Sequence, residues 1–346
     1  MRGSRIASVV AVSVLLLAAA PSPADDAFHY SSWAGTPYDA AYTEWWYFNF
    51  FDARSGAQAI VSYFVTDPAG LYGAARVQLV AVAYTALGVV SEVDEYPAEA
   101  FTAGAQQADV TIGDSSIQVA DDGTYRVAGA SRDGRLAWDL AYAPRAEPWF
   151  AADRMTVGSL PWEKMSWLVS MPRALVTGRL LVDGRAYEID APGYHDHNWG
   201  EWIPTDALWN WAEYSDGRLA LEMGDFIGKP AGVVSVDFGG ERTVFTKGQY
   251  WLLHTRWGLD WKNGVWYPTE SLLVAGNDTR WLFVTIRAIG TEPLRGDLPL
   301  PLPDLILYEQ TARYDGWLWE KNPQGQWVTA SPLRGNGFKE YTGRHY

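Results

Sequence analysis

Arg76-Val-Gln-Leu-Val-Ala-Val-Ala-Tyr84 sets apolar side chains at alternate positions over part of its length. A period of two belongs to a strand with one buried face, whereas a helix repeats every 3.6 residues. The same signal extends outward in both directions. Residues 59–65 lie upstream, and residues 124–128, 136–142, 174–182, 219–223 and 233–238 follow. Residues 250–257, 266–274, 281–288 and 305–314 complete the set. Each run is short and rich in β-branched or aromatic residues, which favour strands. Between them stand Asp122-Gly123, Asp133-Gly134, Asp183-Gly184, Asp216-Gly217, Gly239-Gly240 and Asn263-Gly264. Such pairs tolerate the positive φ of tight hairpin turns. The best helical stretch, residues 161–165, amounts to one or two turns. Many strands with evenly spaced turns predict an all-β protein of antiparallel barrels or sandwiches.

The N-terminus reads differently. Arg2 and Arg5 precede an almost unbroken apolar run over residues 6–20, and Ser22-Pro23-Ala24 fits a peptidase site. This predicts a signal peptide over residues 1–24, cleaved near Ala24, and a secreted or periplasmic mature protein. No later run reaches the ~18 apolar residues of a membrane span, so no stable span is expected in the mature chain. Loss of Arg2 and Arg5 takes 27 basic residues to 25 against 41 acidic ones, so the net charge of −14 becomes −16. A field of that sign repels nucleic acid and anionic membrane surfaces, so neither is expected as a partner. There is no Cys, hence no disulfide and no cysteine-linked lipid anchor. The roughly 320 mature residues can bury enough surface without such staples. A break within residues 194–205 separates two sets of strands, giving expected domains over 25–200 and 201–346.

The densest chemistry is Gly193-Tyr-His-Asp-His-Asn-Trp-Gly-Glu-Trp202. Its glycines suggest a bent loop or a bulged strand entry. If the stretch is extended, His195 and His197 point to one face, and Asp196 and Asn198 to the other. Neutral His accepts a proton near neutral pH, and Asp orients it or acts as an acid. In Glu44-Trp-Trp-Tyr47 a carboxyl sits beside rings, where burial is expected to raise its pKa and keep it protonated. Trp209-Asn-Trp-Ala-Glu-Tyr214 is a similar cluster. Nineteen Trp suit an aromatic-lined cavity as well as a large β core. Both motifs also have plainer readings. Trp45 and Trp46 can plug a barrel base, and His195-Asp196-His197 can be a structural hydrogen-bond network joining two domains. A metal held by His195 and His197 has no third ligand of telling spacing, so no metal site is predicted. A Gly-x-Ser-x-Gly elbow is absent, which argues against a serine hydrolase. His29, near the N-terminus, is expected to be solvated, and His254 to be a satisfied core histidine.

Thr43-Glu-Trp-Trp-Tyr-Phe48, followed far downstream by Gly193-Tyr-His-Asp-His-Asn-Trp-Gly200, resembles the lipocalin-like superfamily of hydroxyneurosporene synthase, the carotenoid hydratase. That superfamily also takes in secreted attachment-type proteins, kievitone hydratase and polyketide Diels–Alderases. Leu175-Val-Thr-Gly-Arg-Leu-Leu181 and Gly337-Phe-Lys-Glu-Tyr341 look like further family features, so the resemblance covers essentially the whole mature chain. It implies two calycin-type antiparallel β-barrels packed together, an apolar pocket at or between them, and no cofactor. The activity it implies is a cyclase or isomerase that folds a hydrophobic polyene or polyketide with acid assistance, as in secondary metabolism. The alternatives are a hydratase acting on an isoprenoid alkene and a non-catalytic carrier of a hydrophobic ligand. The expected catalytic residues are Glu44, His195, Asp196 and His197. Substrate binding is expected from Trp45, Trp46, Tyr47, Tyr194, Asn198 and Trp199, and from Trp209, Trp211 and Glu213.

Overall fold

All six glycine-containing pairs fall between consecutive strands, and at Asp183-Gly184 both residues take positive φ, 47° and 78°. The computed structural model describes residues 21–296 and 305–344; the expected leader lies outside this range up to residue 20. Twelve strands form one antiparallel sheet. They are β1 (Tyr42–Asp52), β2 (Ala57–Thr66), β3 (Arg76–Thr85), β4 (Gly88–Tyr96), β5 (Phe101–Ala103) and β6 (Val110–Ile112), then β7 (Ser115–Val119), β8 (Tyr125–Ala130), β9 (Leu136–Pro144), β10 (Trp149–Thr156), β11 (Lys164–Val182) and β12 (Arg185–Glu201). Their order is 4-3-2-1-12-11-9-8-7-6-5, with β10 paired to β11. Nine more form a second sheet: β13 (Trp209–Ser215), β14 (Leu219–Phe226), β15 (Gly232–Phe238), β16 (Glu241–Thr246), β17 (Tyr250–Asp260), β18 (Val265–Gly276), β19 (Arg280–Gly296), β20 (Leu305–Lys321) and β21 (Trp327–Arg344). Their order is 16-15-14-13-21-20-19-18-17. Both sheets curl, giving two lipocalin-like barrels.

Two local expectations change. Residues 161–165 form no helix; a turn there runs directly into β11. Residues 193–201 are neither a loop nor a strand entry but the continuous end of β12, paired on one side with β1 and on the other with β11. Pairing on both sides keeps their backbone extended, and the irregularity falls instead in β11, whose register shifts between Leu168 and Met171 and between Met171 and Ala174.

Apolar burial divides into three main groups. One fills the first barrel and includes Trp46, Phe48 and Phe50. One fills the second and includes Tyr214, Phe245 and Leu273. The third lies between the sheets and includes Tyr47, Trp167, Tyr194 and Trp211. Strand alternation therefore sends successive residues of β1 into different cores. The junction is also bonded: Tyr84 Oη donates to the Glu309 carbonyl at 2.9 Å, and Arg173 Nη1 donates to the Gly217 carbonyl at 3.0 Å.

Eight tryptophans lie on the surface of the second sheet, and Trp281, Trp319 and Trp327 among them line an open groove. Trp251, Trp257, Trp261, Trp266, Trp281, Trp317, Trp319 and Trp327 are exposed, all within the β17–β21 part of the second sheet. Among the described residues, no helix is long and apolar enough to cross a membrane.

Gly200 lets β11 approach β12. Its φ is +150°, and an added Cβ would lie 2.1 Å from the Lys164 carbonyl oxygen. Gly200→Ala should therefore destabilise the protein by roughly 1–3 kcal/mol or more. Gly217→Ala, with open space around its Cβ, serves as the control. Equal urea midpoints for the two variants would contradict this strand register.

Candidate active site between the barrels

The register of β1 on β12 pairs Trp45 with Asn198, Trp46 with His197, Tyr47 with Asp196 and Phe48 with His195. Alternation then splits the two sequence motifs into two separate sites.

The first site lies on the barrel side. His195 stacks on Phe48 with ring centroids 3.9 Å apart, and His197 stacks on Trp46 at 4.5 Å. Two carboxylates meet these rings. Asp26 Oδ2 lies 2.9 Å from His195 Nε2 and accepts from Tyr125 Oη at 2.6 Å. Asp26 Oδ1 makes an off-axis ion contact with His197 Nδ1 at 3.1 Å. Glu44 Oε1 lies 2.9 Å from His197 Nε2 and 3.3 Å from His29 Nδ1. Glu44 Oε2 accepts from Tyr42 Oη at 2.5 Å.

Burial opposes charge on Asp26, but His195 and His197 hold it below the ordinary carboxylate range. Burial likewise raises Glu44, yet hydrogen bonds from His197 and His29 outweigh it, so its pKa falls. Glu44 is thus ionised, contrary to the protonated acid expected from its aromatic neighbours. Burial disfavours the charged form of His197, but Asp26 and Glu44 overcome it and raise its pKa. His29 is only partly solvated, contrary to expectation: its ring stacks on Trp199 at 3.9 Å and is 19% exposed.

The second site lies between the sheets. Of the predicted residues, Trp45, Tyr47, Asp196, Asn198, Trp209 and Trp211 line a pocket with about 50 Å³ of free volume. Tyr194 stands behind it and donates to Asp196 Oδ2 at 2.8 Å. Trp167 Nε1 donates to the same oxygen at 2.8 Å, and Asn198 Nδ2 donates to Oδ1 at 3.0 Å. Burial pushes Asp196 up to about 6 in spite of these donors. Glu340 shares the pocket, with Trp209 Nε1 donating to it at 2.8 Å. Burial raises both Glu340 and its neighbour Glu309, and the charge of Glu340 raises Glu309 further. Trp211 Nε1 is buried without a partner among the described residues.

Of the four expected catalytic residues, Asp196 alone therefore lines the pocket; Glu44, His195 and His197 lie on the other side of β1 and β12. Trp46 and Trp199 go with them. Glu213 is buried away from the pocket lining, where burial and the nearby Glu222 push it up to about 8. Burial brings Glu222 to about 8 as well. Sequence reasoning missed Met165, Trp167, Trp202, Phe226 and Glu340 as lining residues, and Asp26 and His29 as partners of the histidines. Glu340 stood inside the quoted segment 337–341, but nothing local marked it as pocket-facing. His254 is the satisfied histidine expected, with Nδ1 2.8 Å from Ser271 Oγ.

No family model and no curated protein matches this chain. Solved structures do. A candidate AttH from Nitrosomonas europaea is similar over 99% of this chain and 100% of its own, with 17% identity and a TM-score of 0.72. Kievitone hydratase from Nectria haematococca is similar over 87% of this chain and 88% of its own, with 15% identity and a TM-score of 0.60. At such identities the likeness is one of fold, and both are lipocalin-like.

The buried acids set a pH dependence. Glu213 and Glu222 keep their protons to about pH 8, and Asp196 to about pH 6. Unfolded carboxyls lose theirs near pH 4. Above pH 5 the unfolded state thus binds fewer protons, and stability falls as pH rises, by about 1.4 kcal/mol per unit for each retained proton. Asp26 and Glu44, whose pKa values are depressed, act with the opposite sign only at more acidic pH. The melting temperature should fall between pH 5 and 7, and Glu213→Gln should flatten that slope. A melting temperature that rises across this window would mean these acids are ionised when folded.

Proposed function

We propose that this chain, exported after loss of its leader, is an enzyme that moves protons on an unsaturated apolar small molecule seated between its barrels. Hydration of an alkene is the reaction that the site favours. The observation carrying this reading is the pair of buried carboxyls, Asp196 and Glu340, on one aromatic-lined pocket. Addition of water needs an acid and a base at once, each with a pKa near the working pH. The proton that burial keeps on Glu340 goes to one alkene carbon. A water oxygen bonds to the other carbon, and Asp196 takes the proton that this water releases. Solvent then exchanges the two carboxyls back to their starting states. Trp167, Tyr194 and Asn198 fix the Asp196 carboxyl in place, and the rings exclude bulk water. Kievitone hydratase, which shares the fold, is by its name a hydratase.

The volume of the junction pocket supports hydration over cyclisation. About 50 Å³ admits a few waters or the end of a chain, against the ~300–1,000 Å³ of sites that enclose a whole ligand. Cyclisation of a polyene or polyketide needs the whole folded chain enclosed, whereas a carried ligand has room in the open groove of about 470 Å³ lined by Trp281, Phe283, Trp319 and Trp327. Hydration needs only the reacting end.

The test is incubation with isoprenoid alkenes and polyenes in oxygen-18 water, followed by mass spectrometry. Labelled alcohol is the expected product. A cyclised isomer of unchanged mass would replace hydration with cyclisation, and saturable binding without any product would leave a carrier. Asp196→Asn and Glu340→Gln should each lower turnover by ~10²–10⁴-fold. Glu44→Gln should instead cost stability, by ~3–5 kcal/mol, because it leaves buried charge unpaired, with turnover per folded molecule unchanged.

A further inference from the structure

Three potential ligand atoms converge on the barrel side of β1 and β12. His29 Nδ1 lies 3.3 Å from Glu44 Oε1, His197 Nε2 lies 2.9 Å from the same oxygen, and all three atoms fall within 4.8 Å of one another. Zinc–nitrogen and zinc–oxygen bonds of about 2.0–2.1 Å span tetrahedral edges of about 3.3 Å. The spacing already present is thus close to that of a ligand set, and two His with one Glu is a recognised zinc donor set.

The surroundings suit a cation. A metal-binding His commonly turns its other ring nitrogen to a carboxylate, which fixes the ring and raises its basicity. His197 turns Nδ1 toward Asp26 Oδ1, 3.1 Å away, in an off-axis ion contact rather than a hydrogen bond. That aspartate is itself anchored by Tyr125 Oη and His195 Nε2. The second oxygen of Glu44 is held by Tyr42 Oη and by the His29 backbone N–H. Stacking on Trp199 and Trp46 sets the planes of His29 and His197. Every ligand is therefore oriented by its neighbours, as a pre-organised site requires. Glu44 and His197 are fully buried, whereas the partly exposed His29 gives an ion a route from solvent.

We infer that His29, Glu44 and His197 bind one zinc-class divalent cation, which clamps the N-terminal segment onto the first barrel. His29 precedes the turn Tyr30–Ser32, while Glu44 lies on β1 and His197 on β12. One ion thus ties three separate stretches of chain. Protons compete for the same lone pairs, so binding weakens as pH falls. The site is independent of the pocket between the sheets, and neither proposal depends on the other.

The experiment uses tag-free protein stripped with a chelator, then titrated with zinc and, separately, with cobalt(II). The expected result is one equivalent bound, the intense visible absorption of low-coordinate cobalt, and a melting temperature that rises with free zinc. His29→Gln alters a partly exposed side chain and should keep the fold, judged by circular dichroism. It should weaken binding at least tenfold and abolish the zinc-dependent rise. Asp26→Asn should weaken binding by roughly 10–100-fold. Two outcomes overturn the inference: no stoichiometric binding to the unaltered protein, or equal binding by that protein and His29→Gln.

Discussion

The pairing of β1 with β12 is the constraint on which the rest of this structure depends. With Trp46 opposite His197 and Tyr47 opposite Asp196, each strand presents one set of side chains to the first barrel and the other to the junction between barrels. Slipping the register by one residue would exchange the two sets. It would put His197 and Asp196 into environments built for each other's chemistry. The register is held on both sides, since β12 also pairs with β11 along most of its length. Gly200 supplies the close backbone approach at the end where the motif lies.

Those two faces treat buried carboxyls in opposite ways. On the barrel side, Asp26 and Glu44 each meet imidazole nitrogens, and attraction plus hydrogen bonding outweighs the desolvation of charge. At the junction and in the second barrel, Asp196, Glu213, Glu222, Glu309 and Glu340 are as deeply buried but lack a close cationic partner sufficient to offset burial. Lys339 does not fill that role: its Nζ donates to the Pro268 carbonyl, and burial pushes it down to about 7. The acids respond by retaining protons. The same residue type is therefore a fixed anion on one side of β1 and a titratable acid on the other.

Aromatic residues follow a similar division. Five Trp line the junction pocket, where their apolar faces exclude water and the indoles of Trp167 and Trp209 hold carboxylates. Eight more are exposed in the β17–β21 part of the second sheet. The abundance of Trp in the sequence therefore overstates the lining of the junction pocket, because composition carries no information about which side of a strand a ring occupies.

The sequence by itself determined the strand runs, the hairpin turns between them and the all-β class, because periodicity and turn chemistry are local and short-ranged. It also marked the Glu44–Tyr47 and Tyr194–Trp199 segments as the places where chemistry concentrates. Within each, alternation said which residues share a face. Only the tertiary structure decided which face met which partner. Asp26 and His29 reach His195 and His197 across more than 160 positions of chain, and Glu340 reaches Asp196 from the second barrel; no local pattern encodes such distances. The sign of the Glu44 shift was equally hidden. Aromatic neighbours along the strand predict a protonated acid, whereas imidazoles brought in from β12 and the N-terminal segment make it an anion. Packing brings charges together that sequence keeps apart, and in a buried site the nearest charge decides the chemistry.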